Sequence, residues 1–281
     1  MSVITKKRLS PILKWVGGKR QLLKEIIPLI PDDFLTYHEP FIGGGAVLLE
    51  LQPKRAVIND YNSELINVYN VIKSNSKDLL TILKEHEVMN SEEYFYKIRS
   101  LDRNNNYNLM SDVERAGRII YLNKTCYNGL FRVNSSGQFN SPYGRYKKPN
   151  IVNEEAVLLL SEYFNNNKIN IICGDYRKAL SLCKAGDFVY LDPPYMPISS
   201  SSSFTGYTEN GFDVSEQLTL KEECDKLNEK GVKFMLSNSD HELIKEIYVD
   251  YNIKIIKAKR VINSNAKKRG EINEVLIRNY E

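Results

Sequence analysis

The stretch Phe188–Pro197, FVYLDPPYMP, places a carboxylate, two prolines and a tyrosine directly after an apolar run. Bounded by Gly186 and Asp187 before it and by the proline pair after it, that run reads as a buried parallel strand ending at Asp192. Proline donates nothing to a sheet ladder and pushes the residue before it towards extended geometry, so Asp192, Pro193 and Pro194 form a stiff loop with exposed carbonyl oxygens. Ligands of open α/β sheets bind at the carboxyl ends of the strands, where this loop sets the Asp192 carboxylate beside the ring of Tyr195. A proline-capped strand with a surface tyrosine fits the same shape equally well.

Two more strand ends carry an aspartate. RAVIND ends on Asp60, placed to accept hydrogen bonds from a ribose diol or to cap the next helix. INIICGDY ends on Asp175 and Tyr176, a carboxylate with an aromatic face, and Asp175 is equally a helix cap. In FIGGGA three glycines between a strand and a helix let backbone approach a ligand, although a plain tight turn fits as well and the spacing is not GxGxxG. Three aspartate-bearing strand ends plus a glycine loop together predict a cleft along one edge of a sheet.

The elements that position these groups alternate. KWVGGKRQLLKEIIPLIP opens at a glycine turn into a short amphipathic helix ended by Pro31; TYHEPF and Ala56–Ile58 then give the first two strands of a βαβ beginning. After Lys73 the period becomes helical to about Leu122, including Leu79–Glu87 and Glu92–Leu101, with no strand between. YNGLFRVNSSGQFNSPYGRY then reads as a hairpin around Ser135, Ser136 and Gly137. Strands resume with INIICGD, FVYLD, VKFMLSNS, IKIIKA and EVLIRNY, the last two forming an antiparallel edge around NSNAKKRGE. The expected architecture is a discontinuous sheet domain, 1–72 and 165–281, interrupted by a mainly helical insert, 73–164, whose hairpin lies near 127–146.

With 281 residues, 42% hydrophobic and 26% charged, the chain is a globular one, long enough for two lobes. No apolar stretch is long enough for a membrane span, and MSVITKKRLSPILKW lacks the apolar core of a secretory signal, so the cytoplasm is the expected compartment and no membrane partner is expected. Four scattered cysteines without a CxxC pair and three histidines argue against a zinc site or disulfide framework; no metal is expected, and the cysteines read as small core residues. Net charge is only +4, yet Arg115 to Asn153 and Tyr251 to Gly270 are both free of Asp and Glu and rich in Lys and Arg. Two such windows suggest a cationic face that tracks phosphates, the plainer reading being solvated charge.

KWVGGK, EPFIGGG, IND, GDY and LDPPY, in that order with an insert before GDY, closely resemble the Dam-type DNA adenine-N6 methyltransferases. The likeness covers essentially the whole chain, and YNGLFRVNSSGQFNSPYGRYKKP matches the family's DNA-reading segment. It is nearest the GATC-modifying subset that often accompanies a restriction nuclease in bacteria or phages, with no stable protein partner required. The resemblance implies a Rossmann-like S-adenosylmethionine-dependent methyltransferase sheet with an inserted DNA-recognition domain, acting on double-stranded DNA by base flipping. It assigns catalysis to Asp192, Pro193, Pro194 and Tyr195, the first two accepting from the target amine and Tyr195 stacking on the extruded adenine. To the cofactor it assigns Trp15 and Lys19 with Gly17 and Gly18 between them, then Glu39, Phe41, Gly43, Asp60, Asp175, Tyr176 and Asp192. Trp15, the single tryptophan, is otherwise a core anchor.

For DNA the likeness matches Arg132 and Lys14 to guanine readers, Leu130 and Pro142 to apolar base contacts, and Tyr127 and Asn128 to residues that intrude into the stack. Arg145, Tyr146, Lys147 and Lys148 would grip phosphates. The chain has GDY where relatives often have GDF, and a polar run, Ser199–Ser203, follows DPPY. Competing expectations keep the cofactor but change the acceptor to cytosine N4, RNA or a protein amide, or make the chain a DNA-binding regulator without turnover. A nicotinamide dehydrogenase fits poorly, given the glycine spacing.

Overall fold

A computed structural model describes residues 8–196, 212–259 and 271–281 of the chain. The serine run Ser199–Ser203, the basic residues Arg260, Lys267, Lys268 and Arg269, and nearly all of NSNAKKRGE lie outside the described residues.

The strands are β1 (Tyr37–Glu39), β2 (Arg55–Asp60), β3 (Lys168–Cys173), β4 (Phe188–Leu191), β5 (Lys233–Ser239), β6 (Asn252–Lys259) and β7 (Glu271–Arg278). The helices are α1 (Leu23–Ile26), α2 (Ala46–Leu51), α3 (Ser63–Ser74), α4 (Ser76–Met89), α5 (Glu92–Ser100), α6 (Asp112–Thr125), α7 (Glu154–Asn166), α8 (Tyr176–Ser181), α9 (Val214–Glu229) and α10 (Glu242–Ile247). One seven-stranded sheet runs in the order β3-β2-β1-β4-β5-β7-β6. β1 is parallel to β2 and β4, with Tyr37 opposite Ala56 and Phe188, and β4 is parallel to β5. This is the mixed, mostly parallel α/β sheet expected of a Rossmann-like methyltransferase.

The final two strands pair antiparallel as expected, but β7 also pairs antiparallel with β5 and lies between β5 and β6. The edge is therefore β6. Its exposed residues Lys254, Ile255 and Lys257 contrast with Val275, Leu276 and Ile277 of β7, which are fully buried. Lysines on an edge strand discourage pairing with another chain.

The chain divides into two compact units. One comprises 1–18, 43–52 and 62–171, the other 19–42, 53–61 and 172–281. This differs from a division at 73–164. Helix α3 groups with the insert because Glu64 pairs with Arg115 of α6, Lys73 donates to the Ile169 carbonyl, and Asn165 of α7 donates to the Lys73 carbonyl.

In the first unit α6 is the central helix. Ser111 and Glu114 close a capping box at its start, and Ile119, Ile120, Tyr121 and Leu122 are buried along it. Gly117 lets α4 approach: a Cβ there would stand 2.6 Å from Cγ2 of Ile82. Ile82 is β-branched and its methyl cannot swing aside freely. Gly117→Ala is expected to destabilise the protein by about 1–3 kcal/mol, read as a lower denaturant midpoint at unchanged m-value.

The second unit buries β4 entirely, Phe188 to Leu191, together with Leu236, Leu220 and Val275. Cys126, Cys183 and Cys224 are buried, as small core residues would be. Cys173, at the end of β3, is exposed, which corrects the reading of all four as core. Among the described residues no helix is long and apolar enough to cross a membrane.

Candidate active site and nucleic-acid interface

In the second unit the sheet order places the end of β3, then β2, β1 and β4 side by side. Their carboxyl ends carry Asp175, Asp60, Glu39 and Asp192. Buried Asn59 staples three of these ends: its amide donates to the carbonyls of Pro40 at 3.0 Å and Gly174 at 2.9 Å. Backbone bonds from Gly174 to the Asp60 carbonyl and from Ile42 to the Asn59 carbonyl complete the seam. The α3 cap is Asn62, whose side chain accepts from Leu65, so Asp60 is not spent on that role.

After β4 the chain turns through Asp192 and the two prolines. Lys19 Nζ lies 2.7 Å from Asp192 Oδ1, the two side chains being 6% and 18% exposed, and 4.7 Å from the centre of the Tyr195 ring. Tyr195 donates its hydroxyl to Glu274 of β7 at 2.7 Å. Burial pushes the Asp192 carboxyl up to about 6, against the opposing pull of the Lys19 ammonium. Burial and two nearby carboxylates raise the Tyr195 phenol far above its ordinary value, so it stays a neutral donor.

The loop is held from behind. Gln217 Nε2 donates to the Pro194 carbonyl at 3.1 Å, Met196 N donates to Asn238, Ser239 donates to the Met196 carbonyl, and Asn238 donates to Gln217. The expectation that the loop leaves its carbonyl oxygens free is therefore corrected at Pro194. Pro194 is spent on Gln217, and among the described residues the Pro193 carbonyl accepts no hydrogen bond.

Asp175 takes the capping role that the sequence allowed, accepting from Arg177 N and pairing with the Arg177 side chain, which depresses its carboxyl below the usual value. Tyr176 is 5% exposed, its ring 5.1 Å from that of Phe41 and 6.2 Å from that of Phe212. Phe41 itself is half-buried. The ring offered outward at this corner is thus Phe41, with Tyr176 behind it. Glu39 is buried and accepts from the Tyr37 hydroxyl.

In the first unit Trp15 stacks on Phe131 with ring centres 4.8 Å apart, and Gly43, at φ +47°, brings the glycine loop against its indole edge, where a Cβ would sit 3.0 Å from Cδ1. The Lys14 backbone is clamped by buried Asn123, whose side chain accepts from Lys14 N and donates to Lys14 O, both at 2.9 Å, and donates to the Gly129 carbonyl. Lys14, Gly17 and Gly18 are exposed; Lys19 is buried.

The expected hairpin forms without regular strands. Val133 bridges Phe139, Cys126 bridges Tyr143, and the turn closes through Asn134 N to the Gln138 carbonyl. Tyr127, Asn128, Arg132, Pro142, Arg145, Tyr146, Lys147 and Lys148 are exposed on it, while Leu130 is half-buried. Asn128 adopts the left-handed conformation at φ 59°, tolerated by asparagine. Arg132 rests its guanidinium on the Asn140 carbonyl at 3.2 Å.

Sequence reasoning passed over Asn59, Gln217, Asn238, Glu274, Asn123 and Asp102. Asn59 stands inside the IND triplet and Asn238 inside a strand that reads LSNS, so a polar residue within an apolar strand was the available signal. Glu274 also stands in an apolar strand, EINEVLIR, whereas Gln217, Asn123 and Asp102 sit in ordinary helical or charged surroundings.

A family profile described as D12 class N6 adenine-specific DNA methyltransferase matches residues 15–262. The chain is 48% identical to the type II methyltransferase M1.LlaDCHI of Lactococcus lactis subsp. cremoris, covering 100% of this chain and 99% of that protein. It is 41% identical to the type II methyltransferase M.MjaIII of Methanocaldococcus jannaschii, covering 96% and 99%. It is 34% identical to the DNA adenine methylase of Escherichia coli K12, covering 96% and 95%.

Proposed function

Because the chain belongs to the D12 class of N6 adenine-specific DNA methyltransferases, we propose that it methylates adenine N6 within GATC in double-stranded DNA, on a base flipped out of the helix, using S-adenosyl-L-methionine. The observation that carries this reading is the Asp192 group: a half-buried carboxylate paired with Lys19, a Pro193 carbonyl that accepts no hydrogen bond among the described residues, and a Tyr195 ring fixed by Glu274. The amino group of adenine is a poor nucleophile because its lone pair is delocalised into the ring. Hydrogen bonds from its two protons to Asp192 and to the Pro193 carbonyl favour a tetrahedral nitrogen with a localised pair. Tyr195 supplies a face on which the extruded base stacks, offsetting an unstacking cost of a few kcal/mol.

S-adenosylmethionine supplies a sulfonium-activated methyl. The acidic strand ends suit a cationic, ribose-bearing ligand: Asp60 would take the ribose hydroxyls, and Phe41 with Tyr176 behind it would flank the adenine moiety. Glu39, Asp175 and Lys19 complete the set in this unit, bordered by Asp192; Trp15, Gly17, Gly18 and Gly43 are assigned to the ligand by the family resemblance alone. Target reading would fall to the hairpin and Lys14, and methyl transfer to the sheet. The type II names of two relatives favour a role beside a restriction nuclease for the same site, in the cytoplasm.

Incorporation of labelled methyl into duplexes with and without GATC, followed by analysis of the digested nucleosides, tests site and acceptor together. N6-methyladenine confined to GATC duplexes is the expected product; equal incorporation into both, or N4-methylcytosine, ends the proposal. Arg132→Ala is expected to relax discrimination at one guanine by about 1–3 kcal/mol in kcat/KM ratio. Lys147→Ala is expected to weaken binding to every sequence alike and to lower the salt slope by about 1. Identical behaviour of the two variants would contradict the division between reading and gripping.

A further inference from the structure

Among the described residues, the arm of the hairpin opposite Arg132 has no strand on its outer side. Its place is taken by side chains from the turn that follows α5. Phe139 N donates to Asp102 Oδ2 at 2.7 Å, and the Phe139 carbonyl accepts from Arg103 Nη2 at 2.9 Å. Two residues further on, the Ser141 carbonyl accepts from Arg99 at 3.3 Å.

This support is anchored in the core. Arg118 of α6 is 2% exposed and is fixed by donating to the carbonyls of Ile98 and Arg99, both at 2.9 Å. It meets Asp102 Oδ2 at 2.7 Å, and Arg103 Nη1 meets Oδ1 of the same carboxylate at 2.6 Å. Asp102 thus receives a buried cation on one side and a hairpin amide on the other, through the same oxygen.

From Phe139 the constraint reaches the base-reading residue in one step. Asn140 N donates to the Arg132 carbonyl at 2.7 Å, and Ser141 Oγ donates to the Leu130 carbonyl at 2.5 Å. A bidentate arginine–guanine contact needs its carrier held within about 0.5 Å and 10–20°. The hairpin's own cross-links are two isolated bridges and a few single hydrogen bonds, and the charged side chains of Asp102 and Arg103 add a hold on both polar groups of Phe139 from outside it.

We propose that Asp102, seated on buried Arg118 and assisted by Arg103, is a positioning residue that sets the base discrimination of Arg132. The inference rests on the reading of the hairpin as the DNA-reading element. A core role alone predicts lost stability with unchanged selectivity; a positioning role predicts lost selectivity that depends on Arg132.

The experiment compares kcat/KM for the duplex that the wild type methylates with that for duplexes altered at each base pair of the site. Arg103→Met removes the donor to the Phe139 carbonyl from a side chain that is 30% exposed, and leaves Asp102 and Arg118 together. It is expected to lower discrimination at the guanine read by Arg132 by about tenfold, within the range of a bidentate base contact, with kcat on the unaltered duplex within about twofold. Asp102→Asn is expected to lower it further. In an Arg132→Ala background neither substitution is expected to lower it again, as for residues acting through one contact.

Discrimination unchanged in Arg103→Met, or a loss of equal size with and without Arg132, would overturn the inference while leaving the proposed function intact. A wild type that methylates all duplexes alike would remove both. Should Asp102→Asn fail to fold, Arg103→Met decides the matter alone.

Discussion

Asp192→Ala is expected to lower methyl transfer by about 10³-fold or more, with duplex affinity changed little, because in the proposed mechanism the substitution removes the acceptor that localises the amine lone pair. The 2.7 Å distance from buried Lys19 and the partial burial of Asp192 make this carboxylate a placed charge, screened less than one on the open surface. Asn at the same position keeps a neutral acceptor and is expected to retain more activity than Ala. Single-turnover transfer measured beside gel-shift or anisotropy binding separates the two quantities. Turnover close to wild type in Asp192→Ala would displace the carboxylate from the mechanism.

Lys19→Met is the second large effect, and its signature is a pH profile. Burial raises the Asp192 carboxyl to about 6 and Lys19 opposes that rise, so the variant carboxyl is expected to lie higher still. In the proposed mechanism the ionised form is the one that accepts from the amine. In the wild type kcat/KM is therefore expected to fall as pH drops through about 6. In Lys19→Met that acid limb is expected to move up by about 1–3 pH units, the span by which an adjacent cation depresses a carboxylate. An activity loss with no movement of the limb would confine Lys19 to cofactor binding.

The same carboxyl ties stability to pH. Its folded value lies above the ordinary value of 3.8, so its stabilising contribution is fully present below 3.8 and is lost as pH rises through about 6. The protein thus keeps at neutral pH a charge that weakens its fold.

Much of the layout of the candidate site was legible because it is built from short local signals. The apolar run before Asp192 reads as a strand, and β4 is buried from end to end. Pro193 and Pro194 read as a stiff exit, and Asp60 and Asp175 fall at strand ends. The hairpin was located by its turn residues, yet its irregular pairing was not foreseen, because Asp102 and Arg103 replace a strand that alternation alone would demand. The compact units divide the chain differently from 73–164 for a related reason. Periodicity marks α3 as a helix after a strand, but its partners are the helices of the insert.

By itself the sequence determined the kinds of element, their order and the chemistry held at each turn, since these follow from neighbours within a few residues. Only the tertiary structure decided the partners: Lys19 for Asp192, Glu274 for Tyr195 across 79 positions, Gln217 for the Pro194 carbonyl, Asn123 for Lys14 across 109. Such pairings depend on which buried donors and acceptors the packed sheet and helices bring within about 3 Å, and a buried polar group must find one partner among many equally suitable in type. Local pattern carries no record of that choice.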